Sequence, residues 1–368
     1  MMRFMKPLLI AFLLFKAQAL SAGEPLKVGI TQRAFVPAEP YCWRGAKTHA
    51  LQTAVWYPAD SLAVEKAQWV GPPNAPLFAL GAAAPNAKLA PGRFPLVVLS
   101  HGTGGSAPML AWLGAALAAH GYIAAAVNHP GNNALEAYTA EGFSLWWERA
   151  KDLSEVIDYM LADPEFGNRV DATRIAAAGF SLGGYTMIEI AGGVSDRATF
   201  QQFCKSPAAD GICKSPPEFP RLLEYFNRLE ETAQHDPEIA ASLGREKESH
   251  RDRRVRAVFA IAPALGPAFS TETLSKIAIP VEIVAGRDDD QVPIASSAEY
   301  LAAHIRGSQL MLLEGGVRHY EFLANCTAAG MRTLPRLCMG KPGVDRDAVH
   351  RKVAGMAVSF LDGALDHR

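Results

Sequence analysis

The sequence predicts an α/β protein built on a doubly wound, mostly parallel sheet, and three observations carry that prediction. Short β-rich apolar runs alternate with longer helical stretches along most of the chain. Most of these runs are continuously apolar rather than strictly alternating, the pattern of strands buried on both faces. Strand, helix and strand in repetition, without internal repeats or low-complexity tracts, imply one sheet covered by helices on both sides.

The elements follow in order. Strands are expected at Leu51 to Tyr57, Pro95 to Leu99, Tyr122 to Val127 and Arg174 to Ala178. Later ones are expected at Val255 to Ile261, Val281 to Ala285 and Gln309 to Leu313. Helices are expected at Ala107 to Ala119, Phe143 to Leu161 and Leu182 to Ala191, with an amphipathic closing helix at Ala348 to Leu365. Pro72 to Pro91 is rich in proline and alanine and reads as a long surface loop. The segment 195–252 is long, charged and partly helical, and it reads as an insertion. It is either a cap over a site or a surface elaboration.

Composition narrows the class. Hydrophobic residues make up 49% and charged residues 20%, which sets disorder and membrane-bundle architectures aside. The formal net charge of −1 gives no electrostatic case for nucleic acid or an anionic membrane as partner. The basic run from His250 to Arg256 is offset by Glu246, Glu248 and Asp252 and reads as a solvated turn.

The first residues have the order of a secretory signal peptide: Arg3 and Lys6, an apolar stretch from Pro7 to Phe15, then small residues. Cleavage fits after Ala19 or after Ala22. The apolar stretch is short of the about 20 residues that span a bilayer. The expected organisation is a signal peptide over 1–22 and a single domain over 23–368 carrying the insertion. A secreted or periplasmic protein without a transmembrane segment in its mature chain is expected; its oligomeric state stays open.

Export makes the five cysteines disulfide candidates. Local closure favours Cys204–Cys213 and Cys326–Cys338, with Cys42 left over, although spacing alone does not fix connectivity. The spacings are not those of zinc motifs and no histidine pair accompanies them, so no metal is expected.

The chemistry concentrates in three segments. Gly179-Phe180-Ser181-Leu182-Gly183-Gly184 follows a predicted strand and opens a predicted helix. So tight a turn needs small residues beside the serine and leaves its hydroxyl exposed above the sheet edge. The Leu182 amide then lies at a helix N-terminus, where an unpaired N–H can meet an oxyanion. Ser100-His101-Gly102-Thr103-Gly104-Gly105 follows another strand and offers the Thr103 amide as the second donor. The lysine and hydroxyl ending of a nucleotide-binding P-loop is absent.

Asp288, Asp289 and Asp290 follow the strand Val281 to Ala285, where a histidine-orienting acid belongs. Asp289 has the G-x-x-D-x-x-V-P placement and is the first choice, with Asp290 and Asp288 as alternatives. The cluster lacks the spacing of an EF-hand calcium loop. His319 follows the last core strand and completes the order Ser, Asp, His. An imidazole suits the task of taking and returning the serine proton because it titrates near neutrality.

Here the chain resembles the serine-dependent, dienelactone-hydrolase-like branch of the α/β-hydrolases, and it is also similar to platelet-activating-factor acetylhydrolases. The resemblance rests on Val55-Trp56-Tyr57-Pro58, Ser100-His101-Gly102, Asn128-His129-Pro130-Gly131, Gly179 to Gly184, Asp289 with Val292-Pro293, and His319 with Phe322-Leu323 and Cys326. It implies the α/β-hydrolase fold with a helical cap-like insertion, and ester hydrolysis through an acyl-enzyme. True dienelactone hydrolases use a cysteine nucleophile where Ser181 stands, which leaves dienelactone an open question as substrate.

Pocket candidates are Phe180, His129 and Trp146. His129 lines the pocket or shapes a loop, the role the resemblance favours. Trp146 and Trp147 are adjacent on a helix and cannot both face one pocket. The expected substrate is a small-molecule or lipid-like ester, with no cofactor. A thioesterase, amidase or polyester hydrolase would use the same triad, because specificity lives in the pocket. A non-catalytic binding protein is the remaining alternative.

Overall fold

A computed structural model of the chain describes residues 25–366, so the expected signal segment lies outside the described residues. The chain opens with β1 (Lys27–Phe35), β2 (Leu51–Ala59), β3 (Lys66–Val70) and β4 (Phe78–Pro85). β5 (Phe94–Ser100), α1 (Ala111–Ala119), β6 (Ile123–Val127), α2 (Ala140–Ser144) and α3 (Glu148–Ala162) follow. β7 (Val170–Phe180) and α4 (Leu182–Ile190) come next. Then come the short helices α5 (Arg197–Cys204), α6 (Leu222–Phe226), α7 (Leu229–Ala233) and α8 (Pro237–Arg245). β8 (Val255–Ile261), α9 (Thr271–Ser275), β9 (Val281–Gly286), α10 (Tyr300–His304) and β10 (Gln309–Leu313) complete the alternation. β11 (Asn325–Cys326), α11 (Ala328–Thr333), α12 (Pro335–Cys338) and α13 (Arg346–Asp366) close the chain.

Among the described residues, 11 strands form one sheet in the order β10-β9-β8-β7-β5-β6-β2-β1-β4-β11, with β3 beside β4. The run from β10 to β6 is parallel, and β2 joins it antiparallel through β6. Register puts the motif loops together. Ser100 stands beside Gly179 and Val127, and Phe180 stands beside Ile261. From β5 the chain continues to β6 on one side, and from the adjacent β7 it continues to β8 on the other. The two connections diverge there and leave a crevice beyond the strand ends, where open α/β sheets bind ligands.

The continuous apolar runs have a direct physical cause. Every residue of β5 is buried. Leu96 and Val98 pack in the core layer that holds Leu153 and Ile157 of α3 and Tyr185 of α4. Val97 and Leu99 face the opposite layer, with Leu113 and Leu117 of α1 and Val353 and Leu361 of α13. Truncating one such leucine to alanine costs about 2–5 kcal/mol, so this strand is a rigid base for the loop that leaves it.

Three expectations need correction. Pro72 to Pro91 is not simply a surface loop. It holds β4, which pairs with β1, β3 and β11 and buries Phe78, Ala83 and Ala84. Its alanines and glycine carry little strand propensity, so pairing rather than sequence makes it a strand. The expected helix from Phe143 to Leu161 is broken, because Leu145 leaves helical geometry at φ −92°, ψ 63°. β1 and β3 were not expected, since neither shows a continuous apolar run.

The segment 195–252 contains α5 to α8 and is anchored through polar contacts. Ser242 Oγ and Arg245 each donate to Glu148 at 2.6 Å. Within the segment, Arg197 and Glu246 form a buried pair at 3.1 Å. Disulfides join Cys204 to Cys213 and Cys326 to Cys338. Cys42 is unpaired and buried, and burial pushes its thiol up to about 12.

Candidate active site

Ser181 occupies the turn between β7 and α4 with φ 58° and ψ −115°, a region that side-chain-bearing residues rarely adopt. Two glycines allow this conformation. A Cβ on Gly179 would lie 2.4 Å from the Gly183 carbonyl oxygen, and one on Gly183 would lie 1.9 Å from the Ser100 carbonyl oxygen. The elbow can therefore seat directly on the end of β5.

Ser181 Oγ lies 2.9 Å from His319 Nε2, and His319 Nδ1 lies 2.7 Å from Asp289 Oδ2. The carboxylate can only accept, so Nδ1 carries the proton in the neutral ring and Nε2 is left to accept from the serine. The other Asp289 oxygen takes the amides of Gln291 at 2.9 Å and Val292 at 2.8 Å. Asp288 instead faces Lys341 at 2.9 Å, which holds its carboxyl below the usual carboxylate range. Asp290 lies 3.7 Å from Arg318. Of the three aspartates, only Asp289 meets the imidazole.

Leu182 is the first residue of α4, so its amide sits among the unpaired donors of a helix N-terminus. The Thr103 loop passes close by. A Cβ on Gly102 would lie 3.1 Å from Ser181 Cβ. Neighbouring amides are tied down, Gly104 to Asn132 Oδ1 at 2.8 Å and Ala107 to Asn128 Oδ1 at 2.8 Å. Tyr138 adds a hydroxyl donor to the Gly104 carbonyl at 2.7 Å.

Ser181, Leu182, Thr103, Asp289 and His319 all line one cavity of about 860 Å³. Its walls are largely apolar. Phe200, Ile212, Leu222 and Phe226 come from the segment 195–252, whereas Val70, Leu77 and Phe78 come from the β3–β4 hairpin. Leu334 and Leu337 complete the rim beside the Cys326–Cys338 bridge.

Phe180 and Trp146 also line the cavity. The Phe180 ring lies 4.7 Å from that of His319. Trp146 stacks on Phe226 at 4.9 Å, while Trp147 turns away and donates to the Ser242 carbonyl at 3.0 Å. His129 is a different case. It is fully buried, lies outside the cavity wall, and contacts Ser100 and Asp152. Of its two expected roles, lining the pocket is the one this placement does not support.

Sequence reasoning missed Arg44, Arg149 and Asp152, all 1% exposed beside His129. Arg149 and Asp152 sit in a charged helix and look like an ordinary solvated face. It also missed the hairpin wall, for which the exposed Trp69 and the alanine-rich β4 gave little signal.

Known proteins supply the remaining context. The family model described as "Platelet-activating factor acetylhydrolase, isoform II" matches residues 79–144. Cutinase est1 and cutinase est2 of Thermobifida alba are each 33% identical over 97 residues, 26% of this chain and 29% of theirs. The chain thus matches under a third of the length of these curated relatives. A ferulic acid esterase from Streptomyces cinnamoneus superposes with a TM-score of 0.62 at 21% identity, covering 93% of this chain and 91% of that one. That likeness concerns the fold. Sheet order, elbow and this likeness together define the fold as that of the α/β-hydrolases.

Proposed function

We propose that the protein is a serine hydrolase that cleaves carboxylic esters through an acyl-enzyme on Ser181. The observation that carries this reading is the Ser181–His319–Asp289 relay opening on an apolar cavity beside two backbone donors. His319 takes the serine proton as Oγ attacks the ester carbonyl, and Asp289 holds the ring tautomer and offsets the imidazolium charge. The amides of Leu182 and Thr103 bind the tetrahedral oxyanion, each worth about 10²-fold or more in rate. His319 then protonates the leaving alkoxide. Water activated by the same imidazole releases the acid and restores the serine.

The names of the relatives, cutinase and ferulic acid esterase, favour an ester over an amide or thioester. A cavity of about 860 Å³ with predominantly apolar walls suits an apolar or aromatic ester. The inserted segment forms one of these walls, so it acts as a cap in this reading. Two disulfides fit maturation in an oxidising compartment and hence export. No helix among the described residues is long and apolar enough to cross a membrane.

The deciding experiment is covalent labelling with a fluorophosphonate, followed by peptide mapping and an ester screen by chain length. Labelling at Ser181 with turnover of nitrophenyl esters is expected. An unlabelled, folded protein would turn the reading towards a binding protein. Faster turnover of matched thioesters or amides would move it to those classes.

A further inference from the structure

The two amides assigned to the oxyanion come from different elements, Leu182 from α4 and Thr103 from the loop after β5. Their separation is set by tertiary structure alone, and one buried side chain spans it. Arg149 Nε donates to Thr186 Oγ1 on α4 at 3.3 Å. Thr186 spends its own proton on the Leu182 carbonyl at 2.9 Å, which leaves its lone pairs facing the guanidinium. The same guanidinium donates through Nη2 to Ser100 Oγ at 3.3 Å and to the His101 carbonyl. These are the residues from which the Thr103 loop departs.

We infer that Arg149 is a positioning residue, a buried strut that sets the gap between the two oxyanion donors; this rests on the esterase reading above. A planar fork reaching two elements at once is a task for arginine rather than lysine, whose single ammonium has no fixed plane.

The far end of the strut is anchored by a one-way chain of protons. Ser100 Oγ accepts from Arg149 and donates to His129 Nε2 at 2.8 Å. His129 Nδ1 donates to Asp152 Oδ2 at 2.7 Å, and Arg44 donates to the same carboxylate oxygen at 2.8 Å. Burial, with the charges of Arg149 and Arg44, holds His129 well below its ordinary range. It is therefore neutral, and Nε2 remains an acceptor. His101 is fixed in the same way: Nδ1 donates to the Gly102 carbonyl at 2.7 Å, and Nε2 accepts the His129 amide at 3.2 Å. The chain is thus pinned at the two residues before Thr103.

An oxyanion donor works only within hydrogen-bond reach of the developing charge, and a shift of about 1 Å in a reacting geometry costs on the order of 10²-fold. Thr186→Val, Ser100→Ala and Arg149→Lys each loosen the strut without touching the cavity wall. The measurements are kcat and KM on a short-chain nitrophenyl ester, inhibition by the matching trifluoromethyl ketone, and thermal melting. Each variant should lower kcat by roughly 10- to 100-fold and weaken the ketone by the same factor, with KM within about threefold.

Thr186→Val and Ser100→Ala leave the buried guanidinium in place, so they decide the matter if Arg149→Lys does not fold. Folded Thr186→Val and Ser100→Ala proteins with kcat and ketone affinity within about twofold of wild type would overturn the strut. A rise in KM matching the loss of rate would overturn it as well, because the damage would then lie in substrate binding. An inactive and unlabelled wild-type protein would overturn the esterase reading and the strut with it. An active wild type with unaffected variants overturns the strut alone.

Discussion

Two serine–histidine–aspartate relays lie at this one sheet with nearly equal spacing. Ser181, His319 and Asp289 are joined at 2.9 and 2.7 Å; Ser100, His129 and Asp152 are joined at 2.8 and 2.7 Å. Their ends differ. Ser100 finishes a core strand, has no exposed surface, and spends its oxygen on Arg149 as well. Ser181 is lifted by an elbow at φ 58° into the wall of a cavity. The acids differ too. Asp152 neutralises Arg44, whereas Asp289 is held by two backbone amides. On the proposed function, one relay is a closed circuit that braces a loop, and the other has a free end where chemistry can enter. Hydrogen-bond distances do not distinguish a nucleophile from a brace; access and backbone strain do.

The largest contrast should come from the serines. Ser181→Ala should lower ester turnover by about 10³-fold or more and abolish fluorophosphonate labelling while the melting temperature stays near wild type. Mapped wild-type protein should carry no label on Ser100. A Ser181→Ala protein retaining activity within about threefold would reverse the assignment of the two relays.

The acids should separate along the other axis. Asp289→Asn is expected to cut kcat by about 10²- to 10⁴-fold with little loss of stability. Asp152→Asn should instead cost about 3–5 kcal/mol in urea unfolding, because it leaves the Arg44 guanidinium buried without its partner. Asp288→Asn and Asp290→Asn serve as controls, since both carboxylates face exposed cations rather than His319. A larger kcat loss in Asp290→Asn than in Asp289→Asn would contradict the relay drawn here.

The disulfides extend the same test to the two cavity walls. Replacing both Cys326 and Cys338 by serine should cost about 2–3 kcal/mol and reduce kcat, because that bridge braces the segment after His319. Replacing Cys204 and Cys213 should alter acyl-chain preference before it alters rate, since that bridge lies in the segment 195–252 that lines the cavity. Unfolding curves and a chain-length series distinguish the two.

The smallest effect is a pH slope. An unfolded histidine titrates near 6.5, and folded His129 titrates well below that. Below roughly pH 6.5 the unfolded state therefore binds a proton that folded His129 refuses. Its contribution is constant above that pH and falls as the pH drops, by at most about 1.4 kcal/mol per unit. His129→Gln should lose stability less steeply than wild type between roughly pH 6 and 5. Equal slopes would mean that His129 is charged in the fold and that the buried relay is an ion pair.

Much of this was legible in the chain itself. The elbow is six consecutive residues whose small members follow from the turn they must make, so Ser181 and Leu182 were readable as a string. The core strands announced themselves because burial on both faces leaves no polar position, as in β5. Strand β4 stayed hidden because its alanines gain strand geometry only by pairing with β1 and β3.

The sequence by itself determined the class of fold, the elbow at Ser181, and the chain order in which Asp289 and His319 follow it. Each of these is local, a property of one short run and the strand before it. Tertiary structure decided which of three adjacent aspartates meets His319, because Lys341 and Arg318 take the other two from distant segments. It also decided that Trp146 rather than Trp147 faces the cavity, and that Ser100, His129, Asp152 and Arg149 form one buried assembly. Their partners lie up to 49 residues apart, and no local pattern encodes a contact that exists only once the sheet has brought its strand ends together.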